Sequence, residues 1–317
     1  MAYRTQRKKV MAASHHSTSE VATLEIRRLS ECSFDDAVKI WNEGFQGYFV
    51  DMTLSLDRYL SRLHSEGLSP ELSLMAFCGG RPAGFLLNGI RTSPGPKVAW
   101  NGGTGVSSQF RGCGVGKALM QSTMDLYREQ GVEIATLEAI SENEAAISLY
   151  RQFGYEVVDR LVFLRHKGEL SERAFEQPNS HSYSAAQVAP YLVGELEFYH
   201  EVAPWQGHWQ SLNRHNGEAL IVSNANDAAV GYVLYRKKRD EQGRTIEIAL
   251  HQCVAISGSD TDAIIGCALR SVFAPLELEC TRSTYNFSKS NEAVNRMLHE
   301  AGFQSFIEQV HMVRTFP

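Results

Sequence analysis

No run of about 18 consecutive apolar residues occurs in this 317-residue chain, so the sequence offers no membrane-spanning helix. The six cysteines (Cys32, Cys78, Cys113, Cys253, Cys267 and Cys280) form no C-x-x-C pair and no cluster with metal-ligand spacing. That argues against a zinc or dithiol motif, and no metal is expected. Scattered cysteines in a chain of this length read as reduced, buried thiols, which suits a cytoplasmic protein. Basic charge is also in short supply: 31 Lys and Arg face 36 Asp and Glu, a net charge of -5. Nucleic-acid phosphates would find no domain-wide cationic surface. No nucleic-acid and no membrane partner is expected; monomer and homodimer both stay open. Residues 1–21 begin with a basic cluster and lack the apolar centre of a signal peptide. They read as a disordered tail, in which the adjacent His15 and His16 have no further ligand.

What is present is periodic. Thr23–Leu29 alternates and reads as a strand. Ser33 then caps a helix that carries Asp35 and Asp36 in its first turn. A second helix ends at Gly67. Two apolar runs around Gly79-Gly80-Arg81-Pro82 read as a hairpin. A glycine-rich strand, "KVAWNGGTGVS", precedes the loop "RGCGVGKALM" and a helix stopping at Gly131. "EIATLEAI" is a strand. "SENEAAISLYRQFGY" is a helix with Ser141 and Glu144 in capping-box spacing and Gly154 as its stop. "EVVDRLVFLRH" closes the set as a strand. The predicted order is β-α-α-β-β-β-α-β-α-β. A polar stretch, 168–184, reads as a linker.

The loop Arg111–Lys117 follows a strand and opens a helix. Its amides and the helix dipole suit a phosphate, its glycines allow close approach, and Arg111 and Lys117 add charge. It is not a Walker A loop, because Arg111 and Ala118 stand where that motif needs glycine and a hydroxyl residue. It is not a dinucleotide fingerprint, because Lys117 replaces the third glycine. By itself the string also admits the lesser reading of a tight turn with no ligand.

About thirty residues later comes N-x-x-A-x-x-L-Y-x-x-x-G-Y, from Asn143 to Tyr155. The pair of motifs, Val106–Gly116 and Asn143–Tyr155, resembles the GNAT superfamily of N-acetyltransferases, with compatible elements from Thr23 to His166. The resemblance implies an α/β fold with a mixed, mostly antiparallel sheet and helices on both faces. It implies acetyl-CoA as co-substrate. The loop amides of Arg111, Gly112, Cys113, Gly114, Val115 and Gly116, with Lys117, would take the pyrophosphate. Thr104, Gly105 and Val106 would pair with the pantetheine arm, and Asn143 would sit beside it, at the mouth between two splayed strands. Tyr150 matches the usual general acid, which protonates the leaving thiolate; as a plain helical aromatic it would be half-buried packing. Glu138 is the first candidate for the base that accepts the amine proton, and Asp51 the second. Phe45, Tyr48, Phe49 and Asp51 are expected to meet the acceptor.

The second half repeats the first. Asn291, Glu292, Ala293, Gly302 and Phe303 stand 148 residues beyond Asn143, Glu144, Ala145, Gly154 and Tyr155. Val254 falls under Val106, and Gly231 under Gly84 with a one-residue slip. Two copies of one fold follow. Under that offset the loop becomes Ser259-Asp260-Thr261-Asp262-Ala263-Ile264-Ile265, and Leu298 replaces Tyr150. Carboxylates would repel a pyrophosphate and the phenol is missing. The expected arrangement is a catalytic domain over 22–167, a linker over 168–184 and a degenerate copy over 185–317 that either closes the substrate cleft or serves as scaffold. The aromatic stretch 198–215 either walls a pocket or packs internally. The expected activity is transfer of an acetyl group to the primary amine of a small molecule. Acetylation of protein amino groups, or CoA binding without catalysis, are the alternatives.

Overall fold

The computed structural model describes the backbone of 7–9 and residues 23–92, 95–214, 216–258 and 260–317. The rest of the 1–21 segment, and Ser259, lie outside the described residues. The chain divides into two compact units. Unit 1 comprises Met1–Val157 together with Met312–Pro317, and unit 2 comprises Val158–His311.

Unit 1 contains β1 (Arg7–Lys9), β2 (Thr23–Arg28), α1 (Phe34–Gly44), α2 (Leu56–Ser65), β3 (Leu74–Cys78), β4 (Arg81–Arg91), β5 (Val98–Val106), α3 (Val115–Glu129), β6 (Ile134–Ile140), α4 (Glu144–Gln152) and the first residues of β7 (Glu156–Gly168). From β2 onward this is the predicted order. The expected tail supplies a short strand, since Arg7–Lys9 pairs antiparallel with β2. Local chemistry accounts for the helices. Ser33 accepts from the Asp36 amide at 3.0 Å, and Ala37, Ile40, Trp41 and Gly44 form the buried stripe of α1. The cap of α4 is Asn143, which accepts from the Ala146 amide at 3.2 Å. Ser141, expected in that role, lies outside the helix because the chain still turns at Ser141 and Glu142.

Strands β2 to β5 pair antiparallel in sequence order, and β5 pairs parallel with β6. The β4–β5 register slips once: Leu87 faces Gly103 and Asn88 faces Asn101, so Gly102 is the extra residue of a bulge. Helix α1 covers one face of the sheet, where Trp41 stacks on Phe85 at 5.2 Å. Helix α3 covers the other, where the Tyr127 hydroxyl donates to Asn88 at 2.7 Å. The chain's last residues complete this unit. The Phe316 amide donates to the Glu133 carbonyl at 2.8 Å, and Arg314 donates to the Phe153 carbonyl.

Unit 2 holds most of β7, then β8 (Ser184–Val188), α5 (Pro190–Val193), α6 (Trp209–Arg214), β9 (Glu218–Ser223), β10 (Ala229–Arg239), β11 (Thr245–Ala255), α7 (Thr261–Phe273), β12 (Cys280–Thr284), β13 (Phe287–Ser288), α8 (Glu292–Glu300) and most of β14 (Gln304–Thr315). Its strands run in the order β7-β12-β11-β10-β9-β8. Again a single parallel pair, β11 with β12, interrupts antiparallel neighbours. The division between units falls inside β7 rather than in the polar stretch 168–184. That stretch carries Leu170, Ala174 and Phe175 into the core of unit 2, beside Phe273 and Val272. The fully buried Arg282 ties this region together by donating to the carbonyls of Gly168, Phe273, Pro275, Leu276 and Leu278. Burial draws its pKa down from the usual arginine value. The aromatic stretch packs within unit 2: Tyr199 accepts from the Trp209 amide at 3.2 Å, and Phe198 stacks on Tyr232 at 6.0 Å.

Candidate active site

The β5–β6 pairing stops at Asn101 and Leu137, although β5 runs on to Val106 and β6 to Ile140. Two parallel strands that part leave main-chain groups unpaired at the fork, and a cleft opens there. It has a volume of about 540 Å³. Four segments of unit 1 line it: Gly44–Phe49 after α1, Thr104–Val106 at the end of β5, the loop and helix start around Arg111–Lys117, and Asn143–Tyr150 on α4.

Backbone geometry explains why these segments take their form. Gly114 has φ 80°, a left-handed value that β-carbon-bearing residues resist, and it immediately precedes the first residue of α3. The turn aims the first amides of a fifteen-residue helix at the cleft. Gly105 is required by packing: a Cβ there would come within 2.4 Å of the Phe85 ring. The wall beyond α1 is held from behind. The Trp41 indole donates to the Met52 carbonyl at 2.7 Å, and Asn42 exchanges two hydrogen bonds with Leu54. Arg111 donates from Nε to the Val106 carbonyl and from its terminal nitrogen to the Gly44 carbonyl, both at 3.1 Å. It therefore fastens the end of β5 to the end of α1.

The structure brings most of the sequence-predicted residues together. Phe45, Tyr48, Phe49, Thr104, Gly105, Val106, Arg111, Gly112, Gly114, Val115, Gly116, Lys117, Asn143 and Tyr150 all line the cleft. Cys113 does not; its thiol lies 3.7 Å from the Arg111 carbonyl. Asp51 does not either. It is exposed and folded onto Thr53, whose hydrogen bonds hold its carboxyl below the usual range. Glu138 is half-buried on β6, one residue past the last β5–β6 pair, and accepts from the Trp100 indole at 2.7 Å. Its side chain is absent from the lining. Sequence reasoning passed over Phe110 and Leu149, which line the cleft, and Asn101, which stands behind Tyr150.

Tyr150 is 7% exposed. Burial pushes its phenol up to about 12, and hydrogen bonds from Thr104 and Asn101 pull the other way. Burial also raises the Tyr48 phenol, and Asn143 pulls the other way. The charged residues of the lining are Arg111 and Lys117, both cations. A cleft with cations and helix amides at one end and a buried phenol at the other suits an anionic ligand with a reactive terminus. Among the described residues, no group of three or more His, Cys, Asp or Glu is placed to hold a metal, and no helix is long and apolar enough to cross a membrane.

These features define a class. Residues 34–155 match the family model of the acetyltransferase (GNAT) family. A Dictyostelium discoideum protein named N-alpha-acetyltransferase 30 is 30% identical over 92 residues, covering 29% of this chain and 50% of that relative. The chain thus spans about half the length of that curated relative. A GCN5-related N-acetyltransferase from Sphaerobacter thermophilus superposes with a TM-score of 0.62 at 16% identity, covering 92% of this chain and 95% of the other. A tandem GNAT protein from the clavulanic acid biosynthesis pathway gives 0.56 at 15% identity, covering 93% and 99%. At these identities the likeness is one of fold. It extends over nearly the whole chain, so the fold as a whole is similar to that of these two structures.

Proposed function

We propose that the chain is an acetyl-CoA-dependent N-acetyltransferase of small primary amines, working from unit 1. The observation that carries this reading is the joining of Tyr150, Asn143, the free end of β5 and the N-terminus of α3 in one cleft without a lining carboxylate. A CoA diphosphate fits the loop amides of Arg111–Gly116 with Lys117. The pantetheine amides fit the unpaired main chain of Thr104–Val106, as an added strand would. Asn143 fits beside that arm.

The amine attacks the thioester carbonyl, and the carbon–sulfur bond then breaks. Charge developing on the thioester oxygen is met by a main-chain amide near Val106. The thiolate takes its proton from Tyr150. A phenol at about 12 stays in its acid form across the physiological range. The same burial makes a thiolate more basic, which brings donor and acceptor closer in strength. Glu138 is our candidate for receiving the amine proton through water, because it stands at the fork with one carboxylate oxygen held by Trp100. Asp51, turned onto Thr53 in solvent, fits an outer contact with a cationic amine.

The test is thiol release from acetyl-CoA across a panel of amines. Tight CoA binding without turnover on any amine overturns the enzyme reading in favour of a regulatory CoA binder. A second reading, acetylation of protein amino groups, draws on the name of the Dictyostelium relative. Mass shifts on peptides but not on small amines would favour it.

A further inference from the structure

The CoA reading uses three of the four segments that line the cleft of unit 1: the end of β5, the start of α3 and the Asn143 side of α4. The fourth, Gly44–Phe49, carries no charged side chain. Three of its six residues are aromatic, two are glycine and one is Gln46. The part of the reaction still to be placed is the acceptor.

A turn presents these rings. The Phe45 carbonyl accepts from the Tyr48 amide at 3.0 Å, and Gly47 between them has φ 72°, a left-handed value that glycine adopts without strain. The Phe45 ring lies 5.0 Å from that of Tyr48, and the Tyr48 ring 5.2 Å from that of Phe49, both edge to face. Phe45 in turn rests on Trp41 at 4.6 Å and on Phe85 at 5.7 Å. The row therefore runs from the core, where Trp41 is 0% exposed, to solvent, where Phe49 is 55% exposed. A single exposed phenylalanine is ordinary on a protein surface. This one ends a row of rings along a cleft wall. The row is fixed in advance by the hydrogen bonds of Trp41 to Met52 and of Asn42 to Leu54 behind it.

Charge narrows the occupant. The charged side chains of the lining are Arg111 and Lys117, and no described lining residue is a carboxylate. A second ammonium on the acceptor would find no anion here, and a sugar would lay its hydroxyls against ring faces. An aromatic body would bury its own surface and that of Phe49 together. The same wall serves the chemistry. The amine must be neutral when it attacks, and apolar surroundings favour the neutral form.

We propose that the acceptor is a primary monoamine with an aromatic body, seated on the row Phe45–Tyr48–Phe49, and that Phe49 is a specificity-determining residue for it. This rests on the reading of unit 1 as an N-acetyltransferase and narrows its substrate class. The amine nitrogen bonds to the acetyl carbon and the carbon–sulfur bond breaks. One proton leaves the nitrogen and one reaches the sulfur, so amine and acetyl-CoA give the amide and free CoA.

The experiment measures kcat/KM of the full chain for 2-phenylethylamine, spermidine and glucosamine at saturating acetyl-CoA. The aromatic amine should lead by about tenfold or more, the worth of burying part of one ring. Phe49→Ala should lower its kcat/KM about tenfold, chiefly through KM, with the KM for acetyl-CoA within about twofold. Phe49→Leu, which keeps an apolar side chain, should recover part of the loss. The exposed position leaves the core intact, and matching circular dichroism spectra check that both variants fold. A polar amine used as well as 2-phenylethylamine, or Phe49→Ala slowing all three amines alike, overturns the substrate class and leaves the enzyme reading standing. A raised acetyl-CoA KM in Phe49→Ala assigns the row to the cofactor and overturns the inference in the same way. No thiol release with any amine overturns the enzyme reading and this inference with it.

Discussion

Units 1 and 2 have the same plan and opposite contents at the same place. In each, one parallel strand pair ends before its first strand does: β5–β6 at Asn101 and Leu137, and β11–β12 at Leu250 and Thr284. In unit 1 the fork opens into the cleft. In unit 2 it is filled by the protein itself. Asn291, the counterpart of Asn143, donates its side-chain amide to the Cys253 carbonyl at 2.7 Å. That carbonyl belongs to the position of Gly105, where unit 1 lines its cleft. Leu298, in place of Tyr150, is 0% exposed among Val294, Met297 and Phe303. The phosphate end is closed as well. Helix α7 begins at Thr261, two residues before the position matching Val115, so the loop has become helix. Asp262, in place of Gly114, pairs with Arg296 at 2.7 Å, and Asp260, in place of Gly112, accepts from the Tyr183 hydroxyl at 2.9 Å. The fold tolerates either outcome, and the backbone fork alone does not make a site. What distinguishes the units is whether side chains satisfy the fork's polar groups or leave them for a ligand.

The sharpest way to break the contrast is to carry one residue of unit 2 into unit 1. Gly114→Asp introduces the carboxylate of the Asp262 position into the proposed diphosphate site. We expect acetyl-CoA affinity to fall by about a thousandfold or more by calorimetry, from like-charge repulsion in a desolvated turn. Aspartate tolerates the left-handed conformation better than most residues, so the circular dichroism spectrum should stay native. Tyr150→Phe removes only the hydroxyl. Steady-state kinetics should show kcat lower by about a hundredfold, within the range of general acid catalysis, with acetyl-CoA KM nearly unchanged.

Unit 2 should respond in stability rather than activity. Arg282 stands where unit 1 has Ile134. Replacing it with leucine removes its hydrogen bonds to five carbonyls, of which Pro275 and Leu276 keep a backbone donor in Leu278 and Leu170. We expect a loss of about 3–5 kcal/mol. Hydrogen exchange should show loss of protection around Gly168 and Phe273 while unit 1 amides keep theirs. Leu298→Tyr, the reverse of the catalytic change, should cost about 1–3 kcal/mol by overpacking and create no acetyl-CoA binding. The smallest expected signal is in pH. With Tyr150 at about 12, raising the pH converts the acid to phenolate only as that value is approached. The kcat profile should therefore show no alkaline loss assignable to Tyr150 below pH ~10. A limb near pH 9 that Tyr150→Phe abolishes would contradict the buried phenol.

Much of this was readable before the structure, and for identifiable reasons. The helices of unit 1 announced themselves through Ser33, Gly131 and Gly154, whose caps and stops act within one turn. The 148-residue offset linked Asn143 with Asn291, and the two caps are alike: each accepts from the amide three residues on. The two motifs also named most of the cleft lining, because a strand end, a loop and a helix start are local objects. Harder to read was the polar stretch 168–184, whose few apolar residues, Leu170 and Phe175 among them, enter a core. Its composition shows solvent-facing positions and hides the anchors. Glu138 and Asp51 looked alike as carboxylates, yet one is held by Trp100 and the other is turned onto Thr53 in solvent.

The sequence by itself therefore determined the periodic elements, their order, the duplication and the loss of glycines in the second copy. All of these depend on neighbours within a few residues or on direct likeness between segments. Only the tertiary structure decided that Met312–Pro317 completes the first unit rather than the second, that Asn101 and Thr104 share a face, and that Asn291 fills its own fork. Each of these turns on pairing between strands distant in sequence. One inserted residue in a ladder reverses which side chains meet, and nothing local to Gly102 reveals which strand will lie beside it.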